Sequence, residues 1–155
     1  MDDPKESIVE YGIDGLTQSA SGTREKFVDG GPAKHTQYIH KVTLPNLTPL
    51  AHYVYHCGSR LGWSPEFWFD TPRTDSEWAP SLAIFGDMGN ENAQSLARLQ
   101  EDSQRKMYDA IIHVGDFAYD MDTQDAQVGD QFMRQVESLA AYVPYMVCAG
   151  NHEEK

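Results

Sequence analysis

Three short apolar runs in the second half of the sequence end alike. Leu82-Ala83-Ile84-Phe85 leads into Gly86-Asp87, Ala110-Ile111-Ile112-His113-Val114 into Gly115-Asp116, and Pro144-Tyr145-Met146-Val147-Cys148 into Ala149-Gly150-Asn151-His152. Each glycine precedes an oxygen donor, and a phenol, Tyr119, stands three residues beyond Asp116. Carboxylate, phenolate and amide oxygens are hard ligands, suited to highly charged cations rather than to a thiolate-type zinc site. A cation held in this way lowers the pKa of bound water enough to make it a nucleophile.

Taken singly, none of these residues is diagnostic. Asp87 suits a helix cap, Asp116 a turn, Tyr119 a core and Asn151 a left-handed turn position. Their joint placement at three successive strand ends is what points to a metal site. Glycine before each donor is expected to permit the sharp turn that faces the side chain inward.

The runs need a scaffold that brings their ends together. Between the first two, Ala93, Leu96, Leu99 and Met107 mark the apolar positions of a polar-faced helix. Between the second and third, Val128, Phe132, Val136, Leu139 and Ala140 recur at three- and four-residue spacing, one face of a 3.6-residue period. The order βαβαβ predicts a parallel sheet. Its carboxyl ends share one edge, where open α/β folds hold ligands. His113, inside the second run, is expected to be a packed, hydrogen-bonded histidine. Asp120, Asp122 and Asp125 read as a solvated loop within reach of a substrate.

The first half has a different rhythm. Tyr38, His40, Val42 and Leu44 alternate with Lys41 and Thr43, and Tyr53, Tyr55 and Cys57 alternate with His52, Val54 and His56 before the aromatic stretch Glu66-Phe67-Trp68-Phe69. Pro45-Asn46 and Thr48-Pro49 punctuate a turn between them. Several short strands with turns predict a sandwich whose core takes Trp63, Phe67, Trp68 and Phe69. His35, His40, His52 and His56 read as ordinary surface or strand residues.

These residues carry a resemblance. Gly86-Asp87-Met88-Gly89, Gly115-Asp116-Phe117-Ala118-Tyr119 and Gly150-Asn151-His152-Glu153 match, in order, the first three of five motif blocks of the purple acid phosphatases. The chain resembles that family over nearly its whole length. The resemblance implies a two-domain α+β fragment. An incomplete fibronectin-III-like β-sandwich occupies 1–72, with Leu47 to Tyr53 as its tyrosine-corner region. A linker follows at 73–80. The first βαβαβ half of a calcineurin-like metallophosphoesterase domain then fills 81–155. The expected sandwich is short because such a domain takes roughly 100 residues; Met1 would then be an internal or alternative start.

The resemblance also implies roles. Asp87 would bind a ferric ion, Asp116 would bridge both metals, and Tyr119 would bind iron as a phenolate whose charge-transfer band colours the family. Asn151 would bind the divalent metal, zinc, iron or manganese, through its amide oxygen. His152 would stay off the metals and contact the phosphate or the leaving-group oxygen, while Glu153 receives no metal role. The implied activity is acid phosphatase hydrolysis of phosphate monoesters by a metal-bound hydroxide. Three further family histidines have no counterpart here, so four of seven ligands are present and the chain alone is expected to be inactive or nearly so. The alternatives are another calcineurin-like metallophosphoesterase, or a non-catalytic truncated isoform.

Composition narrows the partners. A formal charge of −12 without a Lys/Arg cluster argues against nucleic acid and anionic membranes, whereas bound cations can still attract a phosphorylated substrate. No run approaches the roughly 18 apolar residues of a membrane span, and no signal peptide is visible. Cys57 and Cys148 are too few for a disulfide framework. The sequon Asn46-Leu47-Thr48 suits a secreted surface loop, although Pro49 disfavours its modification. A secreted or lysosomal location for the parent protein follows from the resemblance only.

Overall fold

The computed structural model describes residues 6–28, 30 and 32–154, so Met1 and Lys155, with which the two expected domains begin and end, lie outside it. The chain divides into two compact units, Met1–Thr74 and Asp75–Lys155.

The first unit is antiparallel β structure. Its strands are β1 (Ile8–Gly12), β2 (Gln18–Ser21), β3 (Thr23–Val28), β4 (Thr36–Lys41), β5 (His52–Ser59), β6 (Gly62–Trp63) and β7 (Phe67–Asp70). In the larger sheet β1 lies between β2 and β5, and β5 also pairs with β6 and β7; β3 and β4 form a separate ladder. Val9, Tyr11 and Tyr53 are its buried centre, with Leu44, Leu47 and Phe69 packed against them. The Tyr53 hydroxyl accepts the Thr48 N–H at 3.0 Å, the backward bond of a tyrosine corner. Thr71 Oγ1 accepts the Ala51 N–H at 2.8 Å and donates to Thr48 O at 2.6 Å, fastening the end of the unit to the same turn.

Three differences from the sequence pattern have local causes. β4 stops at Lys41 because Pro45 lies just ahead, yet Val42 and Leu44 still reach the core from the following loop. β2 and β3 lack an apolar alternation because they are mostly exposed and polar, whereas β1, with buried Val9 and Tyr11, alternates over only five residues. Trp63 is a surface residue, not core: 41% of it is exposed and its ring stacks on His56 at 4.1 Å.

The second unit alternates strand and helix: β8 (Leu82–Phe85), α1 (Leu96–Gln104), β9 (Ala110–Val114), α2 (Gln127–Ala140), β10 (Tyr145–Cys148) and a 3-10 turn at Asn151–Glu153. The strands are parallel, with β9 between β8 and β10. Ala83 and Ile111 share one sheet face with His113, and the core on that side includes Phe132, Val136 and Leu139 from α2 and Leu99 from α1. α1 is shorter than its apolar pattern. Ala93 precedes it, Met107 is 55% exposed beyond it, and buried Asp102 takes the inner position instead. Asp102 accepts from Arg98 Nε at 2.8 Å and from the Tyr108 hydroxyl at 2.9 Å, so its carboxylate is paired where it is buried.

Candidate metal centre

Because β8, β9 and β10 run parallel, Gly86-Asp87, Gly115-Asp116 and Gly150-Asn151 leave the sheet at the same edge. The backbone there is unusual at the donors themselves. Asp87, Asp116, Tyr119 and Asp120 have φ of 55°, 50°, 53° and 67°, a left-handed conformation that costs an L-residue roughly 1–2 kcal/mol. The preceding glycines therefore act differently from the sequence expectation. Of the three, only Gly115 turns left-handed, at φ 84°. Its larger contribution is proximity, since a Cβ on Gly115 would fall 2.6 Å from the Cα and N of Gly150. The exits of β9 and β10 touch because neither carries a side chain there. Asp87 N–H donates to Gly115 O at 3.2 Å and Gly89 N–H to Phe117 O at 2.9 Å, tying the β8 exit to that of β9.

The side chains meet across these exits. The Tyr119 hydroxyl donates to Asp87 Oδ1 at 2.8 Å. That bond to a carboxylate, followed by burial and by the charges of Asp87 and Asp116, pushes the phenol up to about 12. His152 Nδ1 lies 3.0 Å from Asp120 Oδ1, and its ring stands edge-on to Tyr119 at 4.8 Å. Asp116 Oδ1 accepts the His152 backbone N–H at 3.0 Å. Asn151 opens the 3-10 turn with an exposed side chain. Among the described residues, no three His, Cys, Asp or Glu side chains form a ready ion cage. What converges is one carboxylate with a phenol, and one imidazole with a carboxylate. This oxygen-rich donor set fits a hard cation.

Glu153 acts in a way the sequence does not reveal. Glu153 accepts three backbone N–H groups: Oε2 takes those of Asp116 and Gly150 at 2.8 and 2.7 Å, and Oε1 takes that of Phe117 at 2.9 Å. Burial would raise its pKa, but the three donors together outweigh that and hold the carboxyl below its ordinary value. Nothing in a linear pattern marks this role, because only the folded sheet brings those N–H groups together. His113 is fully buried, as expected, with Nδ1 2.8 Å from the Tyr145 hydroxyl. Its Nε2 has no hydrogen-bond partner among the described residues. Burial pushes the imidazole pKa down, against a smaller upward pull from Glu153 and Asp87.

Comparison with known proteins places these features. Residues 1–71 match the family model "Purple acid Phosphatase, N-terminal domain", and residues 80–155 match "Calcineurin-like phosphoesterase". The chain is 51% identical over 155 residues to acid phosphatase type 7 of Mus musculus, covering 98% of this chain and 35% of the relative. To the Danio rerio protein of the same name it is 50% identical over 151 residues, covering 96% and 34%. Among solved structures, a purple acid phosphatase from yellow lupin (Lupinus luteus) seeds superposes with a TM-score of 0.76 at 27% identity, over 96% of this chain and 30% of that one. The chain thus spans about a third of the length of the curated relatives it matches. With both halves matched and the three motif blocks gathered at one sheet edge, the chain belongs to the purple acid phosphatase family.

Proposed function

We propose that the full-length protein hydrolyses phosphate monoesters at a two-metal centre, of which this chain supplies the first part. The observation that carries the reading is the Tyr119–Asp87 contact, which joins a phenol from the β9 exit to a carboxylate from the β8 exit. The family generally binds a dinuclear centre. Asp87 and Tyr119 would hold a ferric ion, Asp116 would serve both ions, and Asn151 would hold a divalent zinc, iron or manganese. When bound, the ions supply Lewis acidity and a nucleophile drawn from water.

The chain's own residues prepare that chemistry. Tyr119 keeps its proton against Asp87 in the metal-free chain, so ion uptake must release one proton. Asp120 engages His152 Nδ1 and so orients the ring, leaving Nε2 as the nitrogen for the phosphate or the leaving-group oxygen. His152 is therefore the candidate proton donor to the departing alkoxide. The chain of 155 residues by itself carries four of the family's seven ligands, and it is expected to turn over little or no substrate. On the family likeness we place the parent protein in a secreted or lysosomal setting, with which the exposed Asn46 of the sequon is compatible.

Metal analysis and a visible spectrum of the purified chain, beside a polypeptide extended through the missing histidines, test the proposal. Two bound ions and a purple band in the extended form only are the expected result. Metal without colour in the extended form would sink the Tyr119 assignment and favour a colourless calcineurin-like phosphoesterase.

A further inference from the structure

We infer that Glu153 is a positioning residue for the metal centre, setting the separation of Asp116 from Asn151; this rests on the two-metal reading above. Of the three N–H groups on its carboxylate, those of Asp116 and Phe117 belong to the β9 exit and that of Gly150 to the β10 exit. A single side chain thus bridges two strands that no covalent link joins locally. Bonds from backbone N–H groups to a carboxylate are roughly twice as strong as those to a neutral acceptor, and three of them converge on Glu153.

A second bond runs the other way. The His152 N–H, from the turn after β10, donates to Asp116 Oδ1. Asp116 is consequently fixed at both ends, its backbone by Glu153 and its carboxylate by the backbone of His152. Such fixing is needed because Asp116 and Tyr119 sit at left-handed φ, a conformation that persists only where the surroundings enforce it. The side-chain-free contact of Gly115 with Gly150 brings both exits within reach of one carboxylate. Asn151 lies between Gly150, whose N–H Glu153 binds, and Glu153 itself, so its place relative to Asp116 follows from the bridge.

The test is nuclear magnetic resonance of the polypeptide extended through the missing histidines, with Mn²⁺ as a paramagnetic probe. In Glu153→Gln, the amides of Asp116, Phe117 and Gly150 should lose exchange protection. The Mn²⁺ concentration that half-broadens the Asp87 and Asp116 signals should rise about tenfold, the loss usual when a residue supporting a metal ligand is removed. Glu153→Asp keeps the charge but shortens the reach; it should give an intermediate shift, and it carries the test if the glutamine variant does not fold. Lost protection with unchanged Mn²⁺ dependence would make Glu153 a stabiliser of the turn alone and overturn the inference. Unmoved amides would overturn it too. Absence of broadening in the unsubstituted extended polypeptide would overturn the two-metal reading and the positioning role together, and it would show before any substitution is made.

Discussion

The Tyr119 hydroxyl, carried by the β9 exit, donates to a carboxylate carried by the β8 exit. The family resemblance nominates Tyr119 as a ligand, and the fold brings its hydroxyl to Asp87. The proton on that hydroxyl is a property of the folded site. With Asp87→Asn, the charged acceptor is gone and the phenol should return from about 12 toward its ordinary 10.0, read from the tyrosine ring carbons in an alkaline titration. A phenol that stays at its high value would mean that the contact with Asp87 is not the cause. Glu153 is the converse case, a motif residue whose work the sequence could not show, because its partners are backbone groups assembled by two strands. His113 lies between these cases. Its burial was legible from its place in an apolar run, but the consequence depends on the sign of its shift. The folded state binds its proton only at lower pH than the unfolded chain, whose histidine titrates near 6.5. Between those values the unfolded state holds more protons, so stability is complete above about 6.5 and is lost as the pH falls. Urea midpoints measured from neutral to acid pH should decline, and the decline should be shallower in His113→Phe.

At the scale of elements, the helices differ in how openly their sequences declare them. α2 was legible because Phe132, Val136 and Leu139 recur on one face, and all three are buried. α1 was misjudged in length because Asp102, a charged residue, occupies the buried position that the pattern gave to apolar ones. Its pairing with Arg98 and Tyr108 makes that tolerable, and pairing between side chains is invisible to a hydropathy pattern. In the first unit, β2 and β3 were missed for the opposite reason: their residues are largely exposed, so burial imposed little alternation on them. The packing of α2 yields a paired prediction. Leu139→Ala removes a fully buried side chain and should cost roughly 2–5 kcal/mol. Met133→Ala, on the exposed face of the same helix, should fall within about 0.5 kcal/mol of the parent. Equal losses in chemical denaturation would show that α2 does not bury the face assigned to it.

At the scale of the whole molecule, the second unit is one-sided. In the parallel register, Leu82 and Ile84 of β8, Ile112 and Val114 of β9, and Met146 and Cys148 of β10 share the sheet face opposite His113. Leu82, Ile84, Val114 and Met146 are 44%, 61%, 49% and 61% exposed. These residues have the same apolar character as their buried neighbours, because a parallel strand covered on both faces reads as a continuous hydrophobic run. The strand composition is therefore that of a sheet with two covered faces, while the described residues cover one. Contiguous exposed apolar surface of this kind draws in other apolar surfaces. The chain should bind a hydrophobic fluorescent dye strongly while folded. Replacing Ile84 and Met146 together by threonine should cut that fluorescence several-fold with little change in melting temperature, since neither side chain is buried. In the extended polypeptide the same signal should vanish if the added residues cover this face. Dye binding that ignores the double substitution would place the exposed apolar surface elsewhere and leave this face without a demonstrated need for cover.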